Sequence, residues 1–339
     1  MVREQATGLL ESLDGWKRTH HCNQLNLDNI NEEVCLMGWA QYRRDHGGLI
    51  FIDLRDREGL TQVVFSPEYN ERAHSEAHVI RPEFVFALKG TVRRRPEGME
   101  NFKLYTGNIE VVVSEWKLLN TANTPPFMIE NNLEVSENLR LQYRYIDLRR
   151  DAMNKTLHLR HKAVQAARQV LNQNKFLEIE TPVLTKSTPE GARDFLVPSR
   201  LHQGEFFALP QSPQLFKQLL MYGGMERYYQ IVKCFRDEDL RADRQPEFTQ
   251  IDLEMAFAEE DDVMQVSEKI MANMLYETLG VQVEPPFPKL SYEQAIKYYG
   301  LDRPDNRFEL LLNDVTDIVS DSQFNLFSEA ELVKAIKIP

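Results

Sequence analysis

The hydrophobic repeat of this chain changes period once, at a connector rich in proline and asparagine, Asn120 to Asn132 (NTANTPPFMIENN). Before it, short strand-like runs recur at Val34 to Trp39, Leu49 to Leu54, Thr61 to Phe65, Phe84 to Val92 and Ile109 to Val113, separated by glycines and charged turns. After it, residues 156–175 place Leu159, Ala163, Ala166, Ala167 and Val170 on one helical stripe. A repeat near two and a repeat near 3.6 bury different faces, so two cores are expected, the first all-β. In the second part strand-like segments (Phe206 to Leu209, Tyr228 to Phe235, Thr249 to Phe257) alternate with helical ones (Pro213 to Met221, Asp261 to Gly280), which makes it α+β. A second proline cluster, EPPFP at 284–288, opens another segment, whose last residues (LVKAIKIP) read as the middle of a strand pattern rather than an ending. The expected organisation is a β domain over 1–119, a hinge over 120–155, an α+β domain over 156–284 and the start of a further, truncated domain over 285–339.

Five short strands suit a small Greek-key barrel of the OB type, whose open face binds single-stranded nucleic acid; the count fits a β-sandwich equally well. Composition narrows the function classes. No stretch approaches the ~18 apolar residues of a membrane span, and the N-terminus has no apolar leader core, so no membrane association and a cytoplasmic location are expected. The cysteines Cys22, Cys35 and Cys234 are odd in number and widely spaced, which fits packing residues rather than a disulfide framework or a metal site. A net charge of −12 argues against broad charge-driven nucleic-acid binding but leaves room for a local basic surface. Arg43-Arg44, Arg93 to Arg95 and Arg149-Arg150 are candidates for one.

The most informative stretch is Tyr229 to Phe257, YQIVKCFRDEDLRADRQPEFTQIDLEMAF, where two strand-like runs flank a charge-dense loop. Such a hairpin presents arginines and carboxylates from a rigid scaffold, although most charge runs are solvated faces. The segment resembles motif 2 of class II aminoacyl-tRNA synthetases, with Phe235-Arg236-Asp237-Glu238 at its start. The continuation Arg244-Gln245-Pro246-Glu247-Phe248-Thr249-Gln250 resembles the aspartate, asparagine and lysine subgroup, and Gln250-Ile251-Asp252 leans towards aspartate.

Further segments agree in order. FLEIETPVL (176–184) is similar to motif 1, in which Pro182 sits at a homodimer interface. Thr188 to Asp194 resembles a mobile loop that closes over the amino acid in aspartyl enzymes, with Glu190 as its substrate contact. ALPQSPQLFKQ (208–218) resembles the aspartate-binding strand and helix start. Ser212-Pro213 makes a good helix entry, Ser as N-cap and Pro at the first helical position, and Gln214 and Lys217 then share one face of the first turn. The resemblance implies that Lys217 pairs with the side-chain carboxylate of L-aspartate, that Ser212, Gln214 and Asp252 hold its ammonium group, and that Arg236 spans the α-carboxylate and the α-phosphate of ATP. It also implies that Arg236, Asp237, Glu238 and Gln245 contact ATP, that Phe248 stacks on adenine, and that Mg²⁺ takes part, with Arg236 and Glu238 as the catalytic residues.

In the first domain GWAQYRRDHGGLIFIDLRDREGLTQV (38–63) resembles the anticodon-binding OB barrel of the same enzymes. Phe51 is then expected to stack on an anticodon base, and Arg44 and Gln62 to meet base edges or phosphates; Phe51 in an alternating strand could equally be core. Enzymes of this family that charge both tRNA(Asp) and tRNA(Asn) are similar in having Asp45-His46-Gly47-Gly48 and Pro96-Glu97-Gly98, so His46 and Gly98 point to relaxed tRNA choice. The family's third motif, a Gly-rich segment ending in Asp-Arg, is not present. Tyr299-Gly300-Leu301-Asp302-Arg303-Pro304 follows motif 2 too closely and resembles the start of a bacterial insertion domain. The chain as given is therefore expected to be inactive in pyrophosphate exchange. A non-catalytic RNA-binding protein and an asparaginyl-type synthetase are the competing readings; retention of Gln214, Lys217, Arg236 and Glu238 speaks against the first, and Glu190 to Asp194 with Gln211 to Gln214 against the second.

Overall fold

The computed structural model describes residues 6–188, 191–239, 241–308 and 310–338. They fall in two compact units, one up to His161 and one from Lys162.

The first unit is built on β1 (Glu33–His46), β2 (Leu49–Arg55), β3 (Leu60–Phe65), α1 (Glu71–Ala77), β4 (Val85–Arg94) and β5 (Ile109–Asn120). These strands close into a barrel in the order β1-β2-β3-β5-β4, with β3 and β5 parallel, which decides for the barrel over the sandwich. Closure depends on β1, whose first half pairs with β4 and whose second half pairs with β2. A register shift between Ala40 and Tyr42 bends the strand where the pairings exchange. Gly38 sits at this turn because a Cβ there would lie 2.3 Å from the carbonyl oxygen of Arg55. Alternation then sorts the faces: Ile50, Ile52 and Leu54 fill the interior, while Phe51, Asp53 and Arg55 point outward. Trp116 plugs the core edge-on to Phe65 and Phe86, with ring centroids 5.9 and 6.3 Å away.

The connector carries a small apolar cluster of its own, Phe127, Ile129 and Ile146, around α2 (Glu137–Gln142) and α3 (Arg144–Asp147). It is pinned to the barrel by Glu83, which accepts from Arg55 at 2.8 Å and Arg149 at 2.5 Å. The arginine clusters expected to form a basic surface are thus partly structural: Arg95 and Arg150 are buried, Arg150 bonds Asp147 and Arg93 bonds Glu110. Burial of Arg150 is offset by its pair with Asp147, whereas the buried Arg95 donates to the Ile109 carbonyl and leaves Nη2 without a partner.

Helix α4 (Asp151–Gln173) leads into the second unit, with β6 (Leu177–Glu178), β7 (Leu196–Pro198), β8 (Phe206–Ala208), α5 (Gln214–Tyr222), β9 (Arg227–Phe235), β10 (Glu247–Met255) and α6 (Glu260–Leu279). Beyond these lie α7 (Tyr292–Tyr299), β11 (Leu312–Asp314), α8 (Thr316–Val319), α9 (Asn325–Ser328) and β12 (Lys334–Ile336). Strands β9 and β10 form an antiparallel hairpin in unbroken register from Glu247 opposite Phe235 to Met255 opposite Arg227, and β6 joins β9 in parallel. The expected helical stripe packs from Ala166 onward, whereas Leu159 is exposed. The core of this unit joins Ala167, Val170 and Leu171 of α4 to Val266 and Ile270 of α6 across Tyr229, Ile231 and Leu253 of the hairpin. All three cysteines are buried and free, and among the described residues no helix is long and apolar enough to cross a membrane.

Candidate functional site

The hairpin has two faces because side chains alternate along a strand. Tyr229 and Ile231 of β9, with Leu253 and Met255 of β10, belong to the core. The intervening residues therefore point the other way: Tyr228, Gln230, Val232 and Cys234 on β9, paired with Glu254, Asp252, Gln250 and Phe248 on β10. Half of this second face is polar, which a strand can sustain only if the groups find partners or face a ligand.

Helix α5 covers that polar face and supplies Lys217 to it. The Lys217 ammonium lies 2.9 Å from Asp252 Oδ1 and 3.3 Å from Glu254 Oε2, and Lys217 and Asp252 are each only 9% exposed. Burial acts to depress the Lys217 pKa, but the hydrogen bond and charge of Asp252, with Glu254, outweigh it and leave the group above the ordinary lysine value. Burial pushes the Asp252 carboxyl up, with Lys217 opposing it and Glu254 adding to it. Asp252 Oδ2 is buried and has no hydrogen-bond partner. An ionic acceptor held in this way costs free energy until a donor arrives, so the atom marks where a cationic or N–H group of a ligand belongs.

The helix entry differs from expectation. Pro213, at φ −81° and ψ 26°, occupies the N-cap position without a side-chain cap, and its carbonyl accepts the Lys217 N–H at 3.0 Å. The first intrahelical bond thus starts one residue later than the sequence suggested, and Ser212 is not the N-cap. Gln214 keeps its place one turn before Lys217. Ser212 instead lines a small recess with Thr185, Asp194 and Phe216.

Beyond the end of the hairpin a cavity of about 370 Å³ is lined by Arg236, Glu238, Arg244, Gln245 and Phe248, with Asp239, Asp243 and Pro246. The Arg236 guanidinium stands over the Phe248 ring, 5.1 Å from its centroid, and Arg236 Nε is buried without a partner. Arg244 reaches Glu238 at 3.3 Å. Asp237 is not among the lining residues; its N–H donates to the Arg193 carbonyl at 3.1 Å. The loop that follows Gly191 is held by the buried Gln211, which exchanges two bonds with the Ala192 backbone and reaches Asp194 at 2.5 Å. Glu190 lies outside the described residues. Pro182, Val183 and Leu184 are exposed in succession after β6.

On the barrel, Phe51 is half-buried and faces outward beside Asp53. Arg44, its cross-strand partner, donates to Asp53 at 2.7 Å and to Gln62 at 3.3 Å, and Gln62 donates to Glu110 at 2.8 Å. Phe51, Arg44 and Gln62 therefore share one face. His46 is exposed at the end of β1, next to a two-residue turn in which Gly47 and Gly48 have φ of 60° and 77°. Positive φ at both positions is the signature of a type I′ hairpin, open mainly to glycine, asparagine and aspartate. Gly98, at φ 79°, closes the Pro96 to Met99 turn.

Residues 136–327 match the family of tRNA synthetases class II (D, K and N), and residues 34–119 match the OB-fold nucleic acid binding domain. This chain belongs to the class II tRNA synthetases of the D, K and N group. It is 65% identical over 338 residues to the aspartate-tRNA(Asp/Asn) ligase of Oleidesulfovibrio alaskensis, an alignment covering 100% of this chain and 56% of that protein. It is 62% identical over 327 residues to the enzyme of the same name from Nitratidesulfovibrio vulgaris, covering 96% and 54%. The chain thus spans about half the length of the curated relatives it matches. Among solved structures, asparaginyl-tRNA synthetase from Pyrococcus horikoshii complexed with asparaginyl-adenylate superposes with a TM-score of 0.70 at 24% identity, covering 91% of this chain and 68% of that one.

Within this class II synthetase chain, the structure places Lys217 beside Asp252 and adds Glu254, a second acid on Lys217 that the sequence pattern did not single out. The signal was available, since residues two apart on a strand share a face. It also left out of the site Arg244, which lines the nucleotide-sized cavity and pairs with Glu238. No group of three or more His, Cys, Asp or Glu side chains suited to a metal ion occurs among the described residues.

Proposed function

We propose that this chain provides the aspartate pocket, the ATP cavity and the anticodon-reading barrel of an aspartate-tRNA ligase acting on tRNA(Asp) and tRNA(Asn). The observation that carries it is the buried Lys217, aimed at the polar hairpin face beside the unpaired Asp252 Oδ2. The paired Lys217 ammonium offers a cation to the side-chain carboxylate of L-aspartate, and the unpartnered Asp252 Oδ2 beside it offers an acceptor to the α-ammonium. In the reaction the α-carboxylate of aspartate attacks the α-phosphorus of ATP, the bond to pyrophosphate breaks, and the aspartyl group of the adenylate passes to the terminal ribose of tRNA. No protein nucleophile is needed, so the side chains align groups and stabilise charge. Lys217 fixes the substrate side chain; Asp252, Gln214 and Ser212, with Glu190 from the loop, hold the ammonium. Arg236 has a free Nε for the α-carboxylate and α-phosphate, Phe248 offers its ring to adenine, and Glu238, Gln245 and Asp237 hold the remaining nucleotide edges and phosphates. Mg²⁺ bound with ATP would offset charge developing on the departing pyrophosphate.

On the barrel, Phe51 stacks on a base while Arg44 and Gln62 contact edges or phosphates of the anticodon. His46 and Gly98 leave the neighbouring turns open to both anticodons, in keeping with the name of the two relatives. The exposed Pro182 to Leu184 segment forms part of a homodimer contact, and the protein works in the cytoplasm. The asparaginyl alternative is disfavoured by Lys217, since the neutral amide of asparagine leaves that ammonium uncompensated by any substrate charge.

The test is titration of the purified chain with non-hydrolysable aspartyl-adenylate and asparaginyl-adenylate analogues. Binding of the aspartyl analogue at least tenfold tighter, lost in Lys217→Met, is expected; equal binding of the two overturns the assignment. For the tRNA claim, tRNA(Asp) and tRNA(Asn) transcripts should bind within a few-fold of each other, and failure of tRNA(Asn) to compete removes relaxed specificity.

A further inference from the structure

One residue of the polar hairpin face has its side chain fixed on one side and its chemistry left open on the other. Gln230 lies across the β9–β10 ladder from Asp252, so the two side chains are neighbours on the face that α5 covers. Its Oε1 accepts from the Tyr228 hydroxyl at 2.9 Å and from the Thr181 hydroxyl at 2.9 Å. Thr181 comes from the chain just past β6, and Tyr228 from two residues earlier on β9. These bonds decide which way the amide points. Tyr228 is wholly buried and Thr181 nearly so, and among the described residues neither hydroxyl has another acceptor, so both need the amide oxygen rather than the amide nitrogen. Burial, with the charge of Asp252 next, holds the Tyr228 phenol above its usual pKa, so the proton it donates stays in place.

With its oxygen engaged twice, Gln230 presents only N–H groups. Nε2 has no partner among the described residues, and it is not sealed off as Asp252 Oδ2 is, although the residue is only 8% exposed. The strand register fixes which part of a ligand it meets. Lys217 bonds Asp252 and Glu254, whose partners across the ladder are Gln230 and Tyr228, so its ammonium lies over the Gln230 end of β9. Arg236 follows the opposite end of the strand, after Phe235. A group that Lys217 binds is therefore within reach of the Gln230 amide, since side chains directly opposite on a ladder are near neighbours.

We propose that Gln230 is a specificity-determining residue, donating from Nε2 to the side-chain carboxylate of the substrate beside Lys217, with Tyr228 and Thr181 as the positioning residues that aim the amide. This inference rests on the aspartate reading of the pocket. Lys217 and Gln230 together offer donors only. A carboxylate answers with an acceptor oxygen for each. The carboxamide of asparagine has one oxygen and must turn its NH₂ towards one of the two donors, leaving N–H against N–H in a buried place. Discrimination thus comes from a neutral residue as well as from the lysine charge, and it depends on two hydroxyls that do not themselves touch the substrate.

The experiment titrates the full chain with the non-hydrolysable aspartyl-adenylate and asparaginyl-adenylate analogues, for the parent, Gln230→Glu and Tyr228→Phe. Gln230→Glu keeps the shape of the side chain and an acceptor for both hydroxyls, but turns the donor into an acceptor. It should weaken the aspartyl analogue by about tenfold or more, one lost hydrogen bond to a charged group. The asparaginyl analogue, whose NH₂ now meets an acceptor, should bind as it does to the parent or better, which also shows that the variant is folded. Tyr228→Phe removes one of the two hydroxyls that orient the amide, and should lower the preference for the aspartyl analogue by about threefold with asparaginyl binding unchanged. If Gln230→Glu weakens both analogues equally, or neither, while the parent keeps its aspartyl preference, Gln230 does not read the substrate side chain and the inference falls alone. A parent without that preference sinks the aspartate reading and the inference with it. Should Gln230→Glu not fold, Tyr228→Phe decides, and a preference equal to the parent's overturns the assignment.

Discussion

Replacing Lys217 with methionine tests the site where fold and chemistry meet. Methionine keeps the length and apolar stem of the side chain, so packing on the hairpin is retained and the change is essentially the removal of one charge. The structure sets the cost. Asp252, buried and already lacking a partner on Oδ2, loses its ion pair with Lys217, and Glu254 loses its contact at 3.3 Å. Removing one member of a buried pair costs about 3–5 kcal/mol, because a charge is left uncompensated. The loss must depend on pH. With Lys217 gone, burial and Glu254 both raise the Asp252 pKa above its usual 3.8, and nothing on Lys217 opposes them. Between 3.8 and that raised value the folded chain binds a proton that the unfolded chain does not, so stability falls as pH rises through this window. The deficit relative to the parent is therefore full at neutral pH and shrinks as pH falls towards 3.8.

Tryptophan fluorescence is blind to this change, since Trp16, Trp39 and Trp116 all lie in the first unit. Hydrogen exchange of the β9 and β10 amides reads it directly. At neutral pH these amides should exchange faster by roughly two orders of magnitude, the equivalent of about 3 kcal/mol. The Trp transition should stay in place. Adding Asp252→Asn should recover most of the protection, because no buried charge is then left unpaired. A loss below about 1 kcal/mol, or one equally large at pH 7.5 and 4.5, would refute the account of Lys217 as the compensator of a buried carboxylate.

Three further outcomes are expected. Gly38→Ala places a methyl 2.3 Å from the Arg55 carbonyl where β1 exchanges partners, and should destabilise the barrel by about 1–3 kcal/mol in urea unfolding followed by Trp emission; an unchanged midpoint contradicts the closure geometry. Phe51→Ala should change that same midpoint by less than about 1 kcal/mol, because the ring is half-buried and outside the core, and a core-sized loss of about 3 kcal/mol would return Phe51 to the interior. Glu178 is held below its usual 4.5 chiefly by the hydrogen bonds from Arg168, with Tyr229 assisting against burial. A depressed carboxyl stabilises above 4.5 and loses that contribution as pH falls through its folded value, so Arg168→Met should flatten this acid limb in exchange rates of the β6 amides; an unaltered pH profile would sink the assignment.

What the sequence made legible and what it hid follow from the range of the interactions involved. The hairpin could be seen in the letters because every residue that defines it lies between Arg227 and Met255, and a period of two assigns each to the core or to the polar face. The fate of Phe51 needed one further fact, that Ile50 and Ile52 fill a closed interior; alternation alone cannot say which side of a strand is wet. Glu254 was overlooked because an acid near a strand end ordinarily faces water, and only Lys217, arriving from 37 residues earlier on another element, turns it inward. The helix entry was misplaced by one residue because Ser-Pro favours a capped start, whereas here the Pro213 carbonyl takes the first bond.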